Sequence, residues 1–231
     1  MIHKRSAIIL LLSFVALSST GWGAGAKGPS LAVEEVNWDF GSVPSDFRLI
    51  HYYKIKNTGN DILHVTRLNA NCDCTSALIK DSLLAPGDSS DIRMVFHTRD
   101  YYGTTNRKLT IISNDPDKPA FDLDYSANID FFHKLHTSDP KYLTFLQGQN
   151  MKAVKLINQS EDDIDYILEK EPDSIFTVDK TSGNIEAGEF EMVNVTIKDN
   201  LRKGTFYSNF TVTYNTEPKL RLSIPVKVVR Y

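Results

Sequence analysis

Apolar and polar residues alternate along most of the chain with a period of two. Phe121, Leu123, Tyr125, Ala127 and Ile129 alternate with Asp122, Asp124, Ser126, Asn128 and Asp130, the pattern of a strand with one buried and one wet face. Leu220, Leu222, Ile224, Val226 and Val228 form a matching row near the end of the sequence. Ile92, Met94 and Phe96 make another, which recurs as Val193, Val195 and Ile197. Turn-forming clusters separate the runs at Asn57-Thr58-Gly59-Asn60, Pro86-Gly87-Asp88 and Asn114-Asp115-Pro116-Asp117. No segment carries a convincing 3.6-residue stripe, so the pattern predicts an all-β protein.

The rows also repeat as a set. Asn57 aligns with Asn158, Gly87 with Gly188 and Gly103 with Gly204, each pair 101 positions apart. Ile55 follows the same shift to Leu156, Leu109 to Phe210 and Ile111 to Val212. A repeat of this length is a small domain, well beyond a solenoid unit. Each copy has room for about seven short strands, the number expected of an immunoglobulin-like sandwich. The expected architecture is two tandem immunoglobulin-like β-sandwich domains after an N-terminal signal peptide. Residues 1–26 form the signal peptide, 27–132 the first domain and 133–231 a second, diverged one. The copies join through a polar stretch at 131–140, which predicts limited hinge motion.

The signal-peptide expectation rests on a cationic head at residues 1–5, an apolar run at 7–17 interrupted by Ser13, and the small residues Ala24-Gly25-Ala26. That run is too short for a comfortable membrane span, and the mature chain has no second apolar segment long enough to be one. Without Lys4 and Arg5, 24 basic side chains of the total 26 remain against 29 acidic, a formal charge of −5. With no basic stripe, nucleic acid and anionic membranes are poor partners. A periplasmic or extracellular location is expected, with a protein or another envelope component as partner. Two cysteines in an exported chain fit an oxidising compartment without making a disulfide scaffold.

Those cysteines, Cys72 and Cys74, are the main chemical feature. In extended chain, residues two apart point to one side with Cα atoms roughly 6.6 Å apart, so a bond between them requires local bending and strain. Three readings stay open: a structural pair or packed thiols, a redox pair, and two thiolates gripping a soft ion such as copper or zinc. Zinc needs further ligands, and His64, near the start of the strand leading to the cysteines, is the histidine best placed to help. His51 shares a face with Tyr53 and Ile55 and reads as core. His97 lies opposite Met94 and Phe96 and reads as exposed. His133 and His136 are three apart in the joining stretch, a spacing that chelates well only on a helix. Tyr101 and Tyr102, beside Gly103 on a connecting loop, are candidate partner-binding residues. The acidic run Glu161-Asp162-Asp163 reads as a solvated turn, since the regular oxygen alternation of a calcium loop is missing. The nucleophile elbow, phosphate loop and zinc-protease motifs are absent, so neither an enzyme nor a cofactor is expected.

Several segments of the first copy stand in a familiar order: NWDFGSV at 37–43, IKNTG at 55–59, NCDCT at 71–75, LAPGDS at 84–89 and SNDP at 113–116. Together they resemble a bacterial immunoglobulin-like family of unknown function with a Cys-Gly-Cys-Thr signature, itself similar to ASH/Hydin-type and sperm-protein-like sandwiches. The resemblance covers about residues 34–130 and implies fold and export, not an activity. Asp73 stands where that signature has glycine, and the second copy has Asp173 and Ile175 at the cysteine positions. Two functions are consistent with these observations. The first is an exported, non-enzymatic binding or scaffolding protein docking a partner through sandwich loops or a strand edge. The second is a thiol-redox or soft-metal protein built on Cys72 and Cys74.

Overall fold

The computed structural model describes residues 28–172 and 175–231. Residues 1–27, where the expected signal peptide falls, and residues 173–174 lie outside the described residues. The described residues form eighteen strands and no helix. The first nine are β1 (Leu31–Val33), β2 (Asn37–Val43), β3 (Arg48–Asn57), β4 (Leu63–Ala70), β5 (Thr75–Ile79), β6 (Leu83–Leu84), β7 (Ser89–His97), β8 (Gly103–Ser113) and β9 (Ala120–Ile129). The second nine are β10 (His136–Asp139), β11 (Leu143–Phe145), β12 (Met151–Asn158), β13 (Ile164–Lys170), β14 (Phe176–Val178), β15 (Ser182–Ile185), β16 (Phe190–Ile197), β17 (Gly204–Tyr214) and β18 (Leu220–Arg230).

Each strand of the first half has its counterpart nine places later. A four-stranded sheet of order β1-β3-β7-β5 recurs as β10-β12-β16-β14. The facing layers, β2-β9-β8-β4-β6 and β15-β13-β17-β18 with β11 beside β18, are joined by β18 and β2 into one ten-stranded sheet. Nine strands per half exceed the seven expected because very short ones, such as the two-residue β6, give no alternation to read. The fold is an all-β immunoglobulin-like sandwich with two hydrophobic cores. One contains Phe40, Leu49, Phe96, Leu109 and Leu123; the other contains Phe145, Leu156, Val193, Phe210 and Ile224.

The repeated asparagine explains how equivalent turns are held. Asn57 is fully buried and its Nδ2 donates to the carbonyls of Asp61 and Leu84, at 2.7 and 2.9 Å. Its Oδ1 accepts from the amides of Gly59 and Ser30, at 3.0 and 3.3 Å. Asn158 is equally buried and donates to Asp162 and Ile185, at 2.8 and 3.0 Å, while its Oδ1 accepts from the Ser160 amide at 3.1 Å. Asp61, Leu84 and Gly59 match Asp162, Ile185 and Ser160 at the 101-residue offset. A buried carboxamide thus ties the turn after β3 or β12 to the loop before β7 or β16. The acidic run at 161–163 is the turn expected, with the Asp162 carbonyl used as an acceptor.

The two halves meet along the open side of the first sandwich. Short β11 pairs with β18 only from Val226 to Val228, leaving the earlier part of β18 free, and Leu222 pairs there in parallel with Ser42 of β2. β1 covers β3 only from Ile55 to Asn57, so the Arg48–Tyr52 stretch has a bare edge. The Ile50 amide on that edge donates to Asn209 Oδ1 at 2.6 Å. Ser223 Oγ donates to the Phe40 carbonyl at 2.7 Å, with Thr211 Oγ1 2.7 Å away. Trp38 is stacked between His51, at 3.9 Å, and the Arg221 guanidinium, at 4.1 Å. His51 Nδ1 lies 3.0 Å from Glu171 Oε1 across the junction. Gly41 permits the approach: a Cβ there would lie 2.1 Å from the Arg221 carbonyl oxygen, and its φ of +67° also favours glycine. The two halves are therefore joined by a continuous sheet through β18 and β2 as well as by the polar stretch at 131–140.

Removing a buried hydrogen-bond partner costs about 1–3 kcal/mol per orphaned group. Asn57→Ala and Asn158→Ala are each expected to lose about 2–4 kcal/mol in urea unfolding, more than Asn60→Ala at the exposed turn surface. Equal, small losses at all three positions would contradict the assignment.

Candidate functional site

The Cys-Asp-Cys segment crosses from β4 in the large sheet to β5 in the small one, and both of its ends are anchored. Asn71 exchanges two hydrogen bonds with the Lys108 backbone, its amide donating to the carbonyl and its Oδ1 accepting from the amide. The His97 amide donates to the Cys74 carbonyl at 2.8 Å. Between these anchors the chain turns, and the Cα atoms of Cys72 and Cys74 stand 5.2 Å apart, closer than in extended chain. This is ordinary disulfide spacing, and the two sulfurs are bonded. The bend that alternation alone does not provide comes from the turn, with Asp73 exposed at its tip.

Thr75 lies beneath the bond. Its hydroxyl is 3.6 Å from Cys72 Sγ, 3.8 Å from Cys74 Sγ and 2.5 Å from the Tyr125 hydroxyl. Bonded sulfurs carry no proton, so only the threonine can donate toward them, and Tyr125 can donate to the threonine in turn. Burial pushes the Tyr125 phenol above its ordinary range, so it remains a donor at neutral pH. The arrangement can supply a hydrogen bond to a sulfur that becomes anionic on reduction.

As a staple, the bond is weak. Chain-entropy arithmetic for a ring of three residues gives about 1.6 kcal/mol, against about 4.7 kcal/mol for a loop of 100 residues. The double variant Cys72→Ser/Cys74→Ser is therefore expected to stay folded, with a melting temperature lower by about 3–6 °C. A drop of 15 °C or unfolding would make the bond a principal structural element.

His64 is exposed in β4. The six residue steps from there to the end of the strand alone span roughly 20 Å, so it is not brought to the cysteines. No group of three or more His, Cys, Asp or Glu among the described residues could hold a metal ion. His51 is buried as expected, stacked on Trp38 and close to Glu171. His97 is half-buried rather than exposed, 3.7 Å from Asp46. His133 and His136 stack with centroids 5.3 Å apart, and His136 is buried beside Tyr214.

Burial, followed by Arg99 and Arg48, holds His97 below the ordinary histidine range; burial and then His133 do the same to His136. The unfolded chain therefore takes up these protons first as pH falls. The stability they contribute is present above about pH 6.5 and is lost as pH drops below it. Burial moves Glu35 the other way, holding its carboxyl above the ordinary range, so its opposing effect belongs to the carboxylate range at lower pH. The urea midpoint is expected to fall between about pH 7.5 and pH 6, and less so in His136→Phe. A midpoint that rises over that interval would contradict this sign.

Tyr101 and Tyr102 part company. Tyr101 packs against the first core with the Arg107 guanidinium 4.9 Å above its ring, whereas Tyr102 is 77% exposed. Sequence reasoning missed a surface the fold assembles beside the disulfide. A groove of about 420 Å³ runs over the outer face of β3, β7 and β5 from Asp73 and Cys74 to Tyr207. It continues into one of about 430 Å³ lined by Arg48, Tyr142, Tyr207 and Lys227. These residues lie far apart in sequence and share no spacing; the outward-facing alternation of β3 and β18 is the only signal that could have marked any of them.

Among the described residues no helix is long and apolar enough to cross a membrane. No curated protein matches the sequence. Solved structures are similar at low identity. One is the CsuC–CsuE chaperone–tip adhesion subunit pre-assembly complex from Csu pili of Acinetobacter baumannii: 19% identity over 41% of this chain, TM-score 0.36. The match spans 56% of the length of that chain. SSP-19 of Caenorhabditis elegans, an MSP-domain protein like family member, is 14% identical over 40% of this chain and 98% of its own, TM-score 0.36. A Porphyromonas gingivalis protein of unknown function is 13% identical over 86% of this chain and 99% of its own, TM-score 0.36. Residues 31–129, the span that contains Cys72-Asp73-Cys74-Thr75, match a family described as a protein of unknown function (DUF1573).

Proposed function

We propose that this chain is an exported, non-enzymatic binding protein of the bacterial envelope that docks an extended protein segment along the free edge of β5. The edge itself is the observation that carries the reading. β5 is the outer strand of its sheet and, with five residues, is longer than the other outer strands β1, β6, β10, β14 and β15. Exposed edges are usually blunted by charge, proline or brevity; β5 reads Thr-Ser-Ala-Leu-Ile and has neither charge nor proline. Its Leu78 side chain is 71% exposed. The amide of Lys80 and the carbonyl of Cys74 bond to β7, so by alternation Ala77 turns its backbone groups outward. Such an edge recognises another strand through main-chain hydrogen bonds. The cationic head, apolar run and Ala24-Gly25-Ala26 of the sequence support export.

A photo-crosslinking residue at position 78, in cells of the native host, is expected to yield a discrete protein adduct. One at position 191, on the second small sheet, is not. Ala77→Pro, which removes an outward amide tolerated at an edge, should abolish the adduct without unfolding the chain. Adducts that are absent, or equal at both positions, would refute docking at β5.

A second reading, thiol exchange at Cys72 and Cys74, is favoured by the Thr75 and Tyr125 hydroxyls at the sulfurs. It predicts that a single Cys-to-Ser variant traps a mixed disulfide with a partner, whereas docking at β5 predicts an unchanged adduct in the double Ser variant.

A further inference from the structure

Arg48 on β3 and Lys227 on β18 approach the ring of Tyr207 on β17 from the two halves of the molecule. The guanidinium carbon is 4.8 Å and the ammonium nitrogen 5.9 Å from the ring centroid. Among the described residues neither cation is held in an ion pair. The carboxylate lining this groove, Asp46, lies 3.7 Å from His97 Nε2. Tyr142 packs on Phe47 at 4.5 Å and gives the groove a second aromatic wall, and Thr144 adds a hydroxyl to the lining.

The charges define what fits. Arg48 and Lys227 contribute two positive charges and Asp46 one negative. His97 is neutral at neutral pH, because burial and the neighbouring arginines hold its proton affinity down. One positive charge is left, which suits a monoanion better than a phosphate dianion. A planar carboxylate can be gripped by a guanidinium on one side and an ammonium on the other. The Tyr207 and Tyr142 rings suit the apolar stem that carries it.

We propose that this groove binds the carboxylate side chain of an acidic peptide, with Arg48 and Lys227 flanking the carboxylate and Tyr207 as the wall between them. The site lies between the halves and exists only while they are docked as described. It is separate from the β5 edge and does not rest on the function proposed for that edge, so the two can fail independently.

The test is a titration of the full mature chain, followed by amide resonances around Tyr207 and Lys227. The probes are acetyl-Leu-Glu-Leu-Glu-amide, its glutamine counterpart and inorganic phosphate. The acidic peptide is expected to shift these resonances saturably, and less so with added salt. The glutamine peptide and phosphate should need at least about tenfold higher concentrations, and Arg48→Gln and Lys227→Gln should each weaken the acidic peptide about tenfold. Arg48→Lys should retain part of the affinity, and Leu78→Lys all of it. The same spectra report whether each variant is folded. Absence of saturable binding at about 10 mM peptide would overturn the proposal. So would equal binding of the glutamine peptide, preference for phosphate, or unaltered binding in both folded glutamine variants.

Discussion

A sheet edge with unpaired backbone groups must find partners, and in this protein the open side of the first sandwich finds them in the second half. β1 is too short to cover the beginning of β3, and β2 has a free flank. Asn209 satisfies the Ile50 amide, Ser223 the Phe40 carbonyl, and β18 takes β2 into the same sheet. The contact is largely polar, so it requires exact partners more than it rewards area. Misplacing the halves would leave buried donors and acceptors unmatched, at about 1–3 kcal/mol each. It would also part the buried His51 and Glu171 side chains, which lie 3.0 Å from each other across the junction. Gly41 is the steric condition for the whole arrangement, because any side chain there meets the Arg221 carbonyl.

From that closure follows what remains available on the surface. With the β2–β3 side occupied, the β5 edge on the far side of the small sheet is left uncovered, next to the Cys72–Cys74 turn. The groove holding Arg48, Tyr207 and Lys227 is likewise a product of the closure, since no single half contains it. The disulfide between these two surfaces closes a ring too small to stabilise the chain by much. Its contribution is to the shape of the turn and to whatever chemistry the Thr75 hydroxyl permits.

Much of the framework was legible in the sequence, because it depends on local patterns. The Phe121–Ile129 alternation became β9 with Leu123, Tyr125, Ala127 and Ile129 buried. The 101-residue offset holds down to individual hydrogen bonds, with Asn57 and Asn158 binding equivalent carbonyls. His51 was legible as a core residue but not as half of a pair, since Glu171 is 120 positions away. Ile50 and Asn209 are separated by 159 positions, and no periodicity links them. The cysteine spacing implied extended geometry, whereas a turn set by Asn71 and His97 brings the two Cα atoms together. His64 looked close to the cysteines in sequence and is a strand length away in space.

The most direct test of the closure is native-state hydrogen exchange at the Ile50 amide. If Asn209 and the second half seal that edge, Ile50 exchanges as slowly as Leu109 and Ile111 in the first core, with the free energy of global unfolding. An Ile50 amide that exchanges rapidly while those core amides stay protected would mean that the first sandwich is open on that side, and that the two halves are not joined as described.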